Sequence, residues 1–152
     1  MLFSFGINTG LRNSDILSLD VEDVKDRNYV EIREKKTNKY KKFSLNKFLK
    51  AEIEQFVKDK PRTHPIFYTQ KHYRLDRIQA YRILNKATQK VGVRERIGTH
   101  TLRKTFGYHH YKKYDDIVLL QKIFNHTSPF VTLRYIGIEQ DTIDESYMNF
   151  YL

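Results

Sequence analysis

The chain contains no cysteine, which excludes disulfide frameworks and thiolate metal centres at once. It also lacks any apolar run approaching the ~20 residues that a membrane-spanning helix needs, so no membrane span is expected. The opening "MLFSFGINTG" has no basic lead of the kind that starts a secretory signal, and a cytoplasmic protein is the default. Internal repeats and low-complexity tracts are absent too, which argues against solenoids and disordered tails. Acidic residues are few: 18 Asp plus Glu stand against 28 Lys plus Arg, a formal net charge of +10. That imbalance favours polyanionic partners, nucleic acid before an acidic membrane surface, because neutralising phosphates releases condensed counterions.

What is present is a globular composition. The 152 residues are 39% hydrophobic and 30% charged, enough for one domain with its own core. Leu2, Phe3 and Phe5 read as a buried helix that Gly6 or Gly10 stops. "LRNSDILSLDVEDV" reads as a short helix led by Asn13 or Ser14, with Leu11, Ile16, Leu17 and Leu19 facing the core. From Asn28 the hydrophobic period changes to two, so "YVEIRE" and "YKKFSL" are strands joined through "KKTNK" as a hairpin. "NKFLKAEIEQFVKDK" is helical, with Phe48, Leu49, Ile53, Phe56 and Val57 on one face; Pro61 and Pro65 mark a loop. "RLDRIQAYRILNKATQKVGV" is a helix closed by Gly92, and "THTLRKTFGYHHYKKY" is one beginning at Thr99, weakened at Gly107 by about 1 kcal/mol relative to Ala. Asp115 or Asp116 caps the next helix, Ser128-Pro129 starts another, and the tail from Glu139 to Leu152 is a short helix. The expected fold is mainly α with one small antiparallel β-hairpin. A helix that begins at the first residue without a polar lead-in suggests a chain cut from a longer one.

Four polar clusters stand out: Arg12 in "NTGLRNSDIL", Lys36 in the hairpin turn, His100 with Arg103 in "THTLR", and His126 followed nine residues later by Tyr135. Each alone has an ordinary explanation. Arg12 could pair with Asp15 three residues on, Lys36 could be one more solvated turn lysine, His100 a helix-start residue, Arg103 a surface cation and Tyr135 one of 11 packing tyrosines. Together they compose a reaction centre. Two planar guanidinium forks suit the nonbridging oxygens of a phosphodiester and the extra charge of its pentacoordinate transition state, with no metal required. His and Lys can move protons, and a tyrosine hydroxyl can attack phosphorus and keep the bond energy in a phosphotyrosine.

The order "TGLR", a hairpin "KT", "HTLR", then a His nine residues before "YI" resembles the catalytic domain of the tyrosine recombinases, also called phage integrases, from about Thr9 to Gly137. The resemblance implies a single catalytic domain over residues 1–152, a site-specific recombinase working through a 3′-phosphotyrosyl intermediate in integration or excision of a mobile element. It implies that Arg12 and Arg103 clamp the scissile phosphate and that Lys36 protonates the leaving 5′ oxygen. His100 assists proton transfer, His126 hydrogen-bonds the phosphate and Tyr135 is the nucleophile, on a helix next to that of His126. No cofactor and no metal are implied. The implied partner is double-stranded DNA, bound by a protein that is monomeric without DNA and tetrameric on it. Family members generally carry a further N-terminal DNA-clamping domain, and the expectation is that these residues are a catalytic fragment without it.

Two positions depart from the family pattern. Asn125 stands where Gly commonly precedes the second His, and Asp15 where Glu usually follows the first Arg; Asn also adopts the left-handed conformation, and Asp keeps the carboxylate. Lys35 and Lys39 share the turn with Lys36, and a shift of register would exchange their roles. Two other classes fit less well. A metal-dependent tyrosine nickase needs a histidine cluster, but His109 and His110 are adjacent and would point about 100 degrees apart on a helix. A catalytically silent DNA-binding domain would be marked by a missing Arg or Tyr, and both are present.

Overall fold

The computed structural model describes residues 1–98 and 100–151, with Glu139 as backbone only. Eight α-helices and one hairpin follow in order: α1 (Leu2–Thr9), α2 (Asn13–Ile16), β1 (Tyr29–Arg33), β2 (Tyr40–Ser44), α3 (Lys47–Val57), α4 (Arg77–Lys90), α5 (Thr101–Tyr114), α6 (Ile117–Phe124), α7 (Pro129–Ile136) and α8 (Ile138–Asn149). The mainly helical architecture with a two-stranded antiparallel sheet is the one expected from the sequence. The register pairs Val30 with Phe43 and Ile32 with Lys41. Val30 and Ile32 turn inward, as the period of two requires.

Local signals explain most boundaries. Gly10, not Gly6, ends α1, because it takes the left-handed conformation (φ 62) that only glycine adopts without strain. Asn46, Asp76, Asp116 and Ser128 cap α3, α4, α6 and α7 by accepting backbone N–H groups, and Pro129 at the first position of α7 has no N–H to lose. Asp115 instead closes α5 in the left-handed region. The helix expected from Thr99 is observed from Thr101; Thr99 itself lies outside the described residues. The short helix expected within "LRNSDILSLDVEDV" is the four residues of α2, capped by Arg12 instead of Asn13 or Ser14, and a separate 3-10 turn follows at Val21–Asp23.

Two apolar clusters flank α5. The larger joins Phe5, Leu11, Ile16, Leu17, Leu19, Val30, Leu49, Ile53 and Leu84 to Leu102. The smaller is Leu120, Phe124 and Ile136, with Phe106 and Tyr135 packed against it. Two sequence expectations fail here. Phe48 is 71% exposed, because Leu49, Ile53 and Val57 already form a complete inward stripe on α3 and Phe48 lies beside it; Phe56 is also largely outside. Phe3 is 48% exposed, outside the buried set of α1 formed by Leu2, Phe5, Gly6 and Thr9.

Close approach of helices is what brings the polar residues together. A Cβ on Gly107 would stand 2.7 Å from Ile136 Cγ2 and 2.8 Å from the Phe124 ring, so the absent side chain lets α6 and α7 lie directly on α5. Gly107→Ala is therefore expected to destabilise the domain by about 1–3 kcal/mol through overpacking, despite the gain of about 1 kcal/mol in helix propensity. Urea unfolding of the two proteins measures the difference.

Candidate active site

Arg103 lies at the seam of the two apolar clusters. It is 2% exposed, its Cζ sits 4.2 Å from the centroid of the Phe124 ring, and its Nη1 and Nη2 donate to Gly10 O (2.6 Å) and Phe124 O (2.8 Å). The ordinary reading of Arg103 taken alone, a surface residue, does not hold: the structure buries it and uses two of its five donors to tie α1 to the end of α6. Burial first, then the neighbouring Arg12, lower its pKa to about 10, so it is charged at neutral pH.

Arg12 caps α2 in extended backbone. Its expected partner Asp15 is 3.9 Å away, while Glu34, which sequence reasoning missed, is at 2.9 Å. Asp15 turns to the hairpin instead, accepting Lys35 N–H at 3.0 Å. The Asp15 carboxylate thus holds the turn that carries Lys36. Lys36 is exposed and lines a cavity of about 370 Å³ with Arg12, Ser14, Lys35, Arg77 and His100. Its charge contributes to lowering the His100 pKa, after burial and Arg103.

His100 and Arg103 are one helical turn apart at the start of α5. His100 Nδ1 is 3.4 Å from the Tyr135 hydroxyl, with the two rings edge to face at 6.3 Å. His126 is not on a helix next to that of Tyr135, as expected, but in the turn between α6 and α7. Asn125 ends α6 in the left-handed conformation (φ 54), the geometry anticipated for an Asn in place of Gly. The His126 backbone is then fixed at both ends, its N–H donating to Gln121 O and its carbonyl accepting from Gln121 Nε2, each at 3.1 Å. The His126 ring lies 5.1 Å from that of Tyr135, and its Nδ1 is 3.1 Å from the buried Thr132 hydroxyl. The Thr132 hydroxyl is also within 3.2 Å of Ser128 O; with its proton turned to Nδ1, His126 has Nε2–H as a donor to substrate.

Electrostatics separates the roles available to these groups. Burial first, then Arg103 and Arg12, push His126 down to about 4. Burial raises the Tyr135 hydroxyl above its ordinary value, while Arg103 and Arg12 pull the other way. Tyr135 is therefore a neutral phenol at pH 7 that requires a base, and His100, with its own pKa lowered, is a neutral imidazole in contact with it. Lys41, another residue the sequence did not single out, is pushed to about 8 by burial and then by Arg103. It donates to Ile123 O at 2.8 Å.

The His126 shift sets a pH dependence. The folded chain keeps this imidazole neutral down to about pH 4, whereas the unfolded chain takes up a proton near the ordinary 6.5. The unfolded state binds more protons between these values, so stability falls as pH drops from 6.5 to 4. About 2 kcal/mol is expected from His126 after allowing for its partial exposure. Urea unfolding at pH 7 and pH 4.5 should show the loss, and His126→Gln should flatten it.

His109 and His110 do not converge. His110 packs on Phe106 and Tyr114, and His109 on Tyr108. No group of three or more metal-binding side chains occurs among the described residues, and no described helix is long and apolar enough to cross a membrane.

A buried arginine, a second arginine on a carboxylate, two imidazoles and a tyrosine thus stand around one seam of a helical domain, the grouping that the resemblance to tyrosine-type DNA strand transferases led us to expect. The match to the phage integrase family over residues 1–141 agrees, and the chain belongs to that family, the site-specific recombinases that use tyrosine. It is 48% identical over 150 residues to the probable integrase/recombinase YoeC of Bacillus subtilis strain 168, spanning 98% of this chain and 82% of that protein. Tyrosine recombinases named XerC and XerD match as well, and of their length the chain spans about half. Among solved structures, XerA recombinase superposes with a TM-score of 0.75 at 21% identity, over 95% of this chain and 54% of that one. XerH bound to palindromic difH substrate in a post-cleavage complex gives 0.71 at 23%, over 97% and 44%. These two show the fold.

Proposed function

We propose that the domain cleaves and rejoins double-stranded DNA through Tyr135, without metal or ATP. The observation that carries the reading is the Tyr135 hydroxyl on His100 Nδ1 (3.4 Å), beside two arginines whose charges act on that hydroxyl. In the forward step Tyr135 Oη attacks the scissile phosphorus and passes its proton to His100. The P–O5′ bond breaks, and Lys36 supplies a proton to the leaving 5′ oxygen. The 3′ phosphate stays joined to tyrosine. In the reverse step a 5′ hydroxyl, the same or one from another strand, attacks the phosphotyrosine and frees Tyr135.

Arg12 and Arg103 hold the nonbridging oxygens, and their attraction grows as charge accumulates there in the transition state. His126 adds a donor from the α6–α7 turn. The cavity lined by Arg12, Lys35, Lys36 and Arg77 suits the phosphates next to the reacting one, and the net charge of +10 suits the duplex as a whole. The reading extends to a cytoplasmic protein that is monomeric when free and works as four copies on two DNA sites. Its biological setting would be integration or excision of a mobile element.

The test is strand transfer in chelator. A duplex nicked near the cleavage site, with a second oligonucleotide bearing a free 5′ hydroxyl, should yield a joined recombinant strand and a denaturation-resistant protein–DNA species. Hydrolysis alone, or activity only with added divalent metal, would refute the reading.

A further inference from the structure

Glu34 follows directly after β1 in a lysine-rich segment, and nothing in its sequence context marks it. Its side chain is nonetheless fully buried. A single carboxylate oxygen, Oε2, gathers three groups from three parts of the chain. Arg12 Nη1 is at 2.9 Å from α2, Thr37 Oγ1 donates at 2.6 Å from the hairpin turn, and Asn125 Nδ2 donates at 3.1 Å from the end of α6. Each of these lies beside a group of the proposed chemistry: Arg12 itself, Lys36 next to Thr37, and His126 next to Asn125.

The other oxygen, Oε1, is buried without a hydrogen-bond partner among the described residues. Burial raises the carboxyl pKa, yet the bonds from Thr37, Arg12 and Asn125 outweigh it and the net shift is downward. Glu34 is thus an anion at neutral pH. A buried charge with one oxygen unused is a poor way to stabilise a fold, since an apolar residue of similar volume does as well or better. It is a good way to fix three mobile pieces at one point.

We propose that Glu34 is a positioning residue, which sets the Arg12 guanidinium, the Lys36 turn and the His126 turn in register for one phosphate. It does not touch substrate. Its anion also offsets part of the repulsion between Arg12 and Arg103, each of whose charges bears on the same small volume. The inference rests on the strand-cleavage reading above and adds to it the residue that assembles the site.

The experiment is single-turnover adduct formation on a nicked duplex at saturating DNA, with wild type, Glu34→Gln, Arg12→Lys and the double variant. Glu34→Gln removes the charge and keeps the size, so the site loosens while the fold persists. A drop of about 100-fold in the adduct rate is expected, with the DNA dissociation constant changed by less than about threefold. Because part of the effect of Glu34 runs through Arg12, the double variant should lose clearly less than the product of the two single losses.

Should Glu34→Gln not fold, Thr37→Val removes one arm of the same carboxylate at the surface and should cost about tenfold by the same route. An unchanged rate in whichever variant folds, or effects of Glu34→Gln and Arg12→Lys that multiply in full, would overturn the inference and leave the functional reading standing. A wild-type chain that forms no adduct would overturn both.

Discussion

Tyr135→Phe is expected to abolish the covalent protein–DNA species completely while binding DNA within about twofold of wild type. The change removes one oxygen, which lies 3.4 Å from His100 Nδ1 and also bonds with Arg103. The ring keeps its edge-to-face packing on Phe124 and His126, at 5.5 and 5.1 Å between centroids, so the fold should lose less than about 1 kcal/mol. The effect falls on chemistry alone because the hydroxyl is the proposed nucleophile, beside two arginines whose charges act on it. Gel analysis after denaturation, with binding followed separately by anisotropy, distinguishes loss of the nucleophile from loss of substrate. An adduct that survives the substitution would mean a different nucleophile.

Arg103→Lys is expected to lower the cleavage rate about 1000-fold, with affinity falling by about tenfold at most. A lysine retains the charge but not the planar fork, so it cannot bond two phosphate oxygens at once. The structure adds a second consequence that sequence alone did not give. Arg103 also holds Gly10 O and Phe124 O, and a single ammonium cannot serve both carbonyls from within the buried seam. One unsatisfied carbonyl costs about 1–3 kcal/mol, so the melting temperature should fall as well. Rate, affinity and melting measured on one preparation separate the two effects. A rate loss no larger than the affinity loss would mean that Arg103 contributes to binding and not to the transition state.

The parts of this domain that were legible in sequence are those whose causes are local. The hairpin follows from a change of hydrophobic period, α7 from Ser128-Pro129, and the left-handed Asn125 from the tolerance of Asn for that conformation. The six polar residues of the site are recognisable because their order along the chain resembles that of a known family. The parts that were not legible depend on distant neighbours. Glu34 is not marked by anything in its sequence context, and its place shows only where Arg12 and Asn125, the latter 91 residues away, close over it. Gly107 reads as a weak point in a helix until Phe124 and Ile136 occupy the space its side chain would take. Phe48 reads as core because helical periodicity tolerates it at the edge of the stripe, yet Leu49, Ile53 and Val57 leave it no room inside. Arg103 is recognisable as a site residue, but its burial is not, because its two carbonyl partners, Gly10 O and Phe124 O, come from other parts of the chain.

The most direct test of the central claim is to locate the bond between protein and DNA. The chain is incubated with a nicked duplex in chelator, digested with trypsin and nuclease, and the nucleotide-bearing peptide is fragmented by mass spectrometry. Cleavage after Arg134 yields a peptide that begins at Tyr135 and also carries Tyr147 and Tyr151, so fragmentation must assign the modified residue. The account predicts a 3′-linked nucleotide phosphate on Tyr135 alone. A phosphate on any other of the 11 tyrosines, or linkage only through serine or histidine, would contradict it.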